Sequence, residues 1–296
     1  MRTKEIVKMF VPPILNTCFT IVLGIVGRLR MQSVLRVGYN TKRGKKLFVM
    51  GNGPSAKDFF DNHLDSLEGC DCMAVNHFAD TPLFEIVKPT QYLVADPIFF
   101  EDPEKLKDYQ KKLAWDSIDY IINKLSWEMT IYMPLQAKGA LSVIELSKNS
   151  FVTIRYYSCY GNSAKITSKN FKYYLWNHSC LAHLSQTVLN ACLGVAIQMR
   201  YSEINLIGAD TSWHEDYWMD QKTNVLYIVD KHFYGAEKVP IRDEAGNPTT
   251  IDQELYTGSV ALKSYWDLAE YAKYNDVKIY NASAYSWIDA FERKML

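Results

Sequence analysis

Short apolar runs separated by polar, helix-patterned stretches recur along the chain from residue 45 onward. "KLFVMG", "MAVNHF" and "QYLVADP" read as the first three strands, each a brief apolar run bounded by turn residues. "TIYMPL" and "VTIRYY" read as further strands on either side of the helical stretch "GALSVIELSKN". In "LSQTVLNACLGVAIQMRY", Val188, Ala191, Cys192, Val195, Ala196 and Met199 recur at helical spacing, and this helix feeds the strand "SEINLIGAD". A helix "SVALKSYWDLAEYAKYN", a strand "VKIYNAS" and a short helix "SWIDAFERKM" are expected to close the chain. Such alternation predicts an α/β fold, a Rossmann-like, mostly parallel sheet with helices on both faces.

Two stretches break the pattern. From Thr211 to about residue 258 polar and aromatic residues dominate, and "AEKVPIRDEAGNPTTID" has the composition of a mobile surface loop. This region reads as a lid carrying Trp213, Tyr217, Trp218 and Tyr234. At the other end, an apolar run from Val11 to Gly27 is interrupted by Asn16, Thr17 and Thr20. Arg2, Lys4 and Lys8 precede it, and Arg28, Arg30 and Arg36 follow. It lacks the small-residue cleavage site of a secretory signal and is barely long enough to span a bilayer. Cations on both sides favour an interfacial helix at the cytoplasmic face of the inner membrane, ahead of a single span or a helix buried in the protein. The expected division is residues 1–40 as a membrane-associating segment and 41–296 as a catalytic domain with a lid over about 211–258.

Ligands of parallel sheets sit at the carboxyl ends of the strands. Asn52, Asn76, Asp96, Asp210 and Asn281 all follow strands. The stretch "KKLFVMGNGPSAKDF" runs from a strand through a glycine-framed loop into a helix, with Ser55 at the N-cap position and Asp58 three residues on. Backbone N–H groups and the helix dipole are expected to converge there on one point that suits a phosphate. Gly51, Gly53 and Ala56 also match G-x-G-x-x-A, but Asn76 rather than an acid ends the second strand. A nucleotide phosphate is therefore expected and NAD is not.

Composition changes little in this picture. With 33 basic and 33 acidic residues, the balance gives no nucleic-acid footprint. Aromatic residues make up 14%, which suits a cleft that stacks bases or sugars. The six cysteines form no CxxC pair and no zinc spacing, so reduced thiols are expected.

"FVMGNGPSAK", "AVNHF", "LVADP", "LGVAIQMRYSEINLIGAD" and "VKIYNASAYSWIDAF" together resemble the bacterial sialyltransferases that cap lipooligosaccharides. They are equally similar to the group containing the Maf flagellin glycosyltransferases and the MptE-like pterin pyrophosphokinases. The resemblance covers roughly residues 45 to 110 and 180 to 296. It implies a variant of the GT-A-like sialyltransferase fold and a transferase that uses a nucleotide-activated, CMP-linked sugar in bacterial surface polysaccharide or lipopolysaccharide synthesis. Gly51, Asn52, Gly53, Ser55 and Asn76 would hold the nucleotide, and Ser185, Gln186 and Thr187 fall near the segment that contacts phosphate and sugar. Asp210 ends the "IxLIGxD" strand of that resemblance. Asp96 stands where the sialyltransferases carry asparagine, and would bind ribose hydroxyls or cytosine. The family's base is a histidine downstream of the Gly-x-Asp strand, which makes His232, in "HFYG", and His214 the candidates. Tyr217, Tyr234 and Ser185 would donate to the departing phosphate. No metal is expected, since the resembled sialyltransferases need none. The expected partners are a nucleotide-sugar donor, a glycan or lipid-linked acceptor and the membrane surface, with homo-oligomerisation left open. The alternatives are a Mg²⁺-dependent diphosphotransferase using Asp96 and Asp210, and a nucleotide-binding subunit without turnover.

Overall fold

Alternation in β1 (Lys46–Met50) divides the core in two. Leu47 and Val49 face one apolar layer and Phe48 and Met50 the other, all four buried. A strand buried on both faces needs helices on both sides, and the chain supplies them. The computed structural model describes residues 13–30, 37–159, 166–183, 185–232, 235–243 and 246–296. One layer holds α2 (Ala56–Asn62), α3 (Leu83–Val87), α4 (Asp108–Lys124) and α5 (Leu141–Leu146), with Phe59, Phe84, Ile118 and Leu146 packed inward. The other holds α6 (Lys169–Asn177), α7 (Val188–Met199) and α8 (Ile251–Tyr274), with Tyr173, Leu193, Tyr265 and Leu268 packed inward.

The sheet contains β1, β2 (Asp71–Val75), β3 (Gln91–Leu93), β4 (Met129–Pro134), β5 (Val152–Tyr157), β6 (Glu203–Ile207), β10 (Lys278–Asn281) and β11 (Glu292–Arg293). Its order is β11-β10-β6-β1-β2-β3-β4-β5, and each neighbouring pair is parallel. The chain therefore winds outward from β1 to β5, returns to β6 on the far side of β1, and winds outward again. The switch point lies between β1 and β6, where a crevice opens beyond the carboxyl ends of the strands.

The predicted strands and the buried α7 are present, and three other expectations are corrected. The lid stretch is a second sheet, β7 (Tyr217–Met219), β8 (Leu226–His232) and β9 (Gly235–Pro240), paired antiparallel. "AEKVP" is thus strand rather than loop, held in part by stacking of Lys238 Nζ 3.2 Å from the Trp218 ring centre. Next, α8 begins at Ile251, inside the expected lid, because Thr250 and Gln253 form a capping box. Finally, the tail around Trp287 is not helical. Its backbone is tied to the turn after β6, with Trp287 N donating to Asp210 O at 2.8 Å and Ser286 Oγ to Ala209 O.

The N-terminal run forms α1 (Pro13–Arg30). Gly24 lets it lie on the chain at Cys180, where a Cβ would come 1.8 Å from the Cys180 carbonyl oxygen. Ile21 packs on the core and Arg28 Nη1 approaches Cys180 Sγ at 3.5 Å. The opposite face is apolar and exposed: Leu15, Phe19, Val22, Leu23, Val26 and Leu29. Among the described residues no helix is long and apolar enough to cross a membrane.

Candidate functional site

At the switch point the turns after β1 and β6 are zipped together. Gly51 N donates to Ile207 O at 2.8 Å and Gly53 N to Gly208 O at 3.0 Å. The approach requires glycine. A Cβ on Gly51 would lie 2.4 Å from Gly208 O, and one on Gly208, at φ +61°, would lie 2.5 Å from Gly51 O. Asp210 then clamps the loop: Ser55 N donates to Oδ2 at 3.0 Å, and Ser55 Oγ donates to Oδ1. Burial pushes the Asp210 carboxyl above the usual carboxylate range, against the bonds from Ser55.

This arrangement corrects the expected phosphate cradle. Ala56 N and Lys57 N donate back to Gly53 O and Pro54 O. With Gly51, Gly53 and Ser55 engaged across the switch point and Pro54 lacking a donor, Asn52 is left as the loop residue whose N–H has no partner among the described residues. Ser55 is a tether for the loop and does not line the crevice.

The crevice itself is a cavity of about 630 Å³. Gly51, Asn52 and Gly53 form one wall, and Asn76, His77 and Asp96 stand beside them at the ends of β2 and β3. Asp210 lies against Gly53, Thr187 and Tyr265 also line the crevice, Trp213 and Asp216 join it from the turn before the second sheet, and Lys231 from β8. Lys231 donates to Asp216, whose hydrogen bond and charge hold the lysine pKa above its ordinary value. Asn76 adopts φ +42° and accepts Ala95 N on Oδ1 at 3.1 Å, which aims the β3 turn at the crevice. Asp96 caps that turn, accepting Ile98 N on Oδ1 at 3.1 Å. Thr187 caps α7 and contacts Tyr265 OH at 3.2 Å.

Two buried polar atoms beside the crevice, Asn52 Oδ1 and His77 Nδ1, have no hydrogen-bond partner among the described residues. The His77 ring leans on Phe99, with centres 4.8 Å apart, and its Nδ1 lies 3.7 Å from Asp80 Oδ2.

Other sequence candidates stand elsewhere. His214 packs edge-on against Trp287, ring centres 4.4 Å apart, outside the crevice. Tyr217 belongs to β7 and does not line the crevice, and burial raises its hydroxyl pKa. His232 ends β8, its side chain outside the described residues, and Tyr234 lies outside them altogether. Asn281 ends β10, fully buried, donating to Ser286 Oγ at 2.9 Å and Ile288 O at 3.1 Å, and does not line the crevice.

Ser185 and Gln186 line a second cavity, of about 510 Å³, with Thr187 in the wall common to both. His183 flanks it, its Nε2 donating to Asn190 O at 2.7 Å and lying 2.9 Å from Ser185 Oγ. Its ring covers Gly194, where a Cβ would meet Cε1 at 1.8 Å. Burial lowers the His183 pKa to about 4, so the ring is neutral near pH 7.

His77, Asp216 and Lys231 escape a reading that stops at strand-end asparagines and at lid histidines. The signal for His77 is its place directly after Asn76 in "AVNHF".

No protein-family model matches the chain, and no curated protein matches it in sequence. Among solved structures, the Maf glycosyltransferase from Magnetospirillum magneticum AMB-1 is similar over 93% of this chain, with a TM-score of 0.52 and 11% identity. The chain spans 38% of that protein's length. At this identity the likeness shows the fold: the chain has the Rossmann-like α/β architecture found in a Maf glycosyltransferase.

Proposed function

We propose that the chain is a glycosyltransferase whose donor, a CMP-linked sugar of the sialic-acid type or a relative, lies in the switch-point crevice. The observation that carries this reading is the pair of orphaned buried atoms there, Asn52 Oδ1 and His77 Nδ1. An unpaired buried polar group costs about 1–3 kcal/mol, which a bound ligand relieves. Asn52 Oδ1 is an acceptor that suits a base amino group or a ribose hydroxyl. Lys231, a short reorientation away from Asp216, meets the phosphate, where developing charge on the leaving group needs a cation. The fold shared with a Maf glycosyltransferase agrees. The donor is expected to react without a metal, because Asp210 is engaged on both oxygens by Ser55 and Asp216 by Lys231.

Thermal shift with CMP, CDP, UDP, GDP and ATP, each with and without Mg²⁺, followed by turnover of the matching nucleotide sugars, tests this. CMP should raise the melting temperature without Mg²⁺. Stabilisation by ATP only with Mg²⁺ would point instead to diphosphate transfer. Nucleotide binding without turnover of any donor would leave a non-catalytic subunit.

We also assign α1 to the membrane surface. Its outer face is apolar, with Phe19 62% and Leu29 73% exposed, and cations precede and follow the run in the sequence. Apolar area plus attraction to anionic headgroups drives such binding. Phe19→Glu with Leu23→Glu should weaken sedimentation with phosphatidylglycerol-containing vesicles at least tenfold. Unchanged sedimentation of that variant would refute the assignment.

A further inference from the structure

The crevice does not end at β3. Asn76, Asp96, Thr187 and Val188 line both it and the second cavity, so these residues form a shared wall. The two spaces differ in charge. The crevice has a cation, Lys231, among the carboxylates of Asp96, Asp210 and Asp216. Among the described residues the second cavity has no cation, since His183, with its pKa near 4, is neutral. Its lining mixes rings and uncharged polar groups, notably Phe100, Tyr157, Gln136, Ser158, Ser185 and Gln186. Rings for the faces of a sugar and amides and hydroxyls for its edges are the groups that hold an uncharged carbohydrate. A phosphate-bearing ligand belongs on the Lys231 side.

Asp96 is the carboxylate in the shared wall. Its Oδ1 is fixed by Ile98 N at 3.1 Å, which sets the side chain's direction and leaves Oδ2 without a partner among the described residues. Resting on the transferase function proposed above, we propose that the second cavity binds the acceptor, an uncharged glycan, and that Asp96 is the general base. Asp96 takes the proton of the acceptor hydroxyl as that oxygen bonds to the anomeric carbon. The bond from that carbon to the donor phosphate breaks, the phosphate leaves with the electron pair, and Lys231 meets its charge. Asp96 then releases the proton to water. This role moves the base from His232 and His214 to a residue between the two substrates.

The test uses the full chain. Saturation-transfer NMR is run with methyl glycosides of glucose, galactose, mannose and N-acetylglucosamine, and with methyl glucuronide as the charged counterpart, with and without saturating CMP. At least one neutral glycoside should give signals that persist with CMP and are lost in Gln136→Trp, which fills the second cavity. Displacement by CMP, indifference to Gln136→Trp, or binding of the glucuronide alone would overturn the acceptor site. Asp96→Asn, assayed with whichever donor the nucleotide panel selects, should lower kcat about 10²- to 10⁴-fold. Nucleotide affinity should stay within about twofold, as for loss of a base that does not hold the donor. Full turnover in Asp96→Asn, or an equal loss in His77→Gln with Asp96→Asn intact, would overturn the base. Failure of every nucleotide to bind would instead bring down the transferase function itself, which separates the two outcomes.

Discussion

Gly208→Val should cost about 3–5 kcal/mol of stability and remove nucleotide binding. Two effects add. Valine at φ +61° is in a region that a β-branched residue almost never occupies, and its Cβ would sit 2.5 Å from the Gly51 carbonyl oxygen, which is backbone and cannot swing away. Relief requires the turns after β1 and β6 to separate, and with them the bond from Gly53 N to Gly208 O and the clamp from Asp210 to Ser55. Two other glycines calibrate the result. Gly246 has φ +86° but open space around its missing Cβ, so Gly246→Ala should cost only the conformational strain, about 1 kcal/mol. Gly258 lies within α8, also in open space, and Gly258→Ala should stabilise by about 0.5–1 kcal/mol. Urea denaturation of the three variants orders them. If Gly208→Val falls no further than Gly246→Ala, the two turns are not zipped as described.

That zipper also marks where sequence reading stops. The β1 loop was legible as a glycine turn because a strand, two close glycines and a helix start are local signals. Its partners are not local. Ser55 and Asp210 are 155 positions apart, and nothing in either segment says that the carboxylate will take up the loop's amide and hydroxyl. A reading limited to "GNGPS" therefore leaves those donors free for phosphate. The same cause hides the true tail. "SWIDAFERKM" has a helical pattern, yet the turn after β6 offers carbonyls at Ala209 and Asp210 that Ser286 and Trp287 occupy. The inner strands were legible because burial on both faces writes continuous apolar runs. The second sheet writes no such pattern. Its cross-strand pairs include Trp218 with Tyr227, and Lys238 lies over Trp218, partners visible only after folding. Since Lys231 reaches the crevice from β8 and Asp216 from the turn just before β7, the charged end of the site was lost with them. The start of α8 was missed although its signals are local, since Thr250 and Gln253 stand at capping-box spacing and no proline interrupts residues 251–258.

Asn52→Ala and Lys231→Ala should each weaken nucleotide binding about 10- to 100-fold, the range expected for losing one well-formed polar contact, and they should do so in distinguishable ways. Asn52 holds an acceptor that is buried and has no partner among the described residues, so removing it lowers affinity while leaving stability unchanged or slightly improved. The loss is of a short-range hydrogen bond and should hardly vary with salt. Lys231 is about half exposed and paired with Asp216 before any ligand arrives. Its contribution to binding is the difference between a phosphate and that carboxylate, and it acts through solvent that salt screens. The Lys231→Ala deficit should therefore shrink as ionic strength rises from about 0.01 M to 1 M, over which the screening length falls roughly tenfold. Asp216→Asn supplies the converse. Freed from its partner, Lys231 should bind the nucleotide more tightly at low salt, by a margin that also disappears at high salt. Calorimetric titration of the three variants at two ionic strengths measures all of this. A Lys231→Ala loss that is constant with salt, or tighter binding by Asn52→Ala, would show that the nucleotide phosphate does not lie at the Lys231 end of the crevice, with its base or ribose at Asn52.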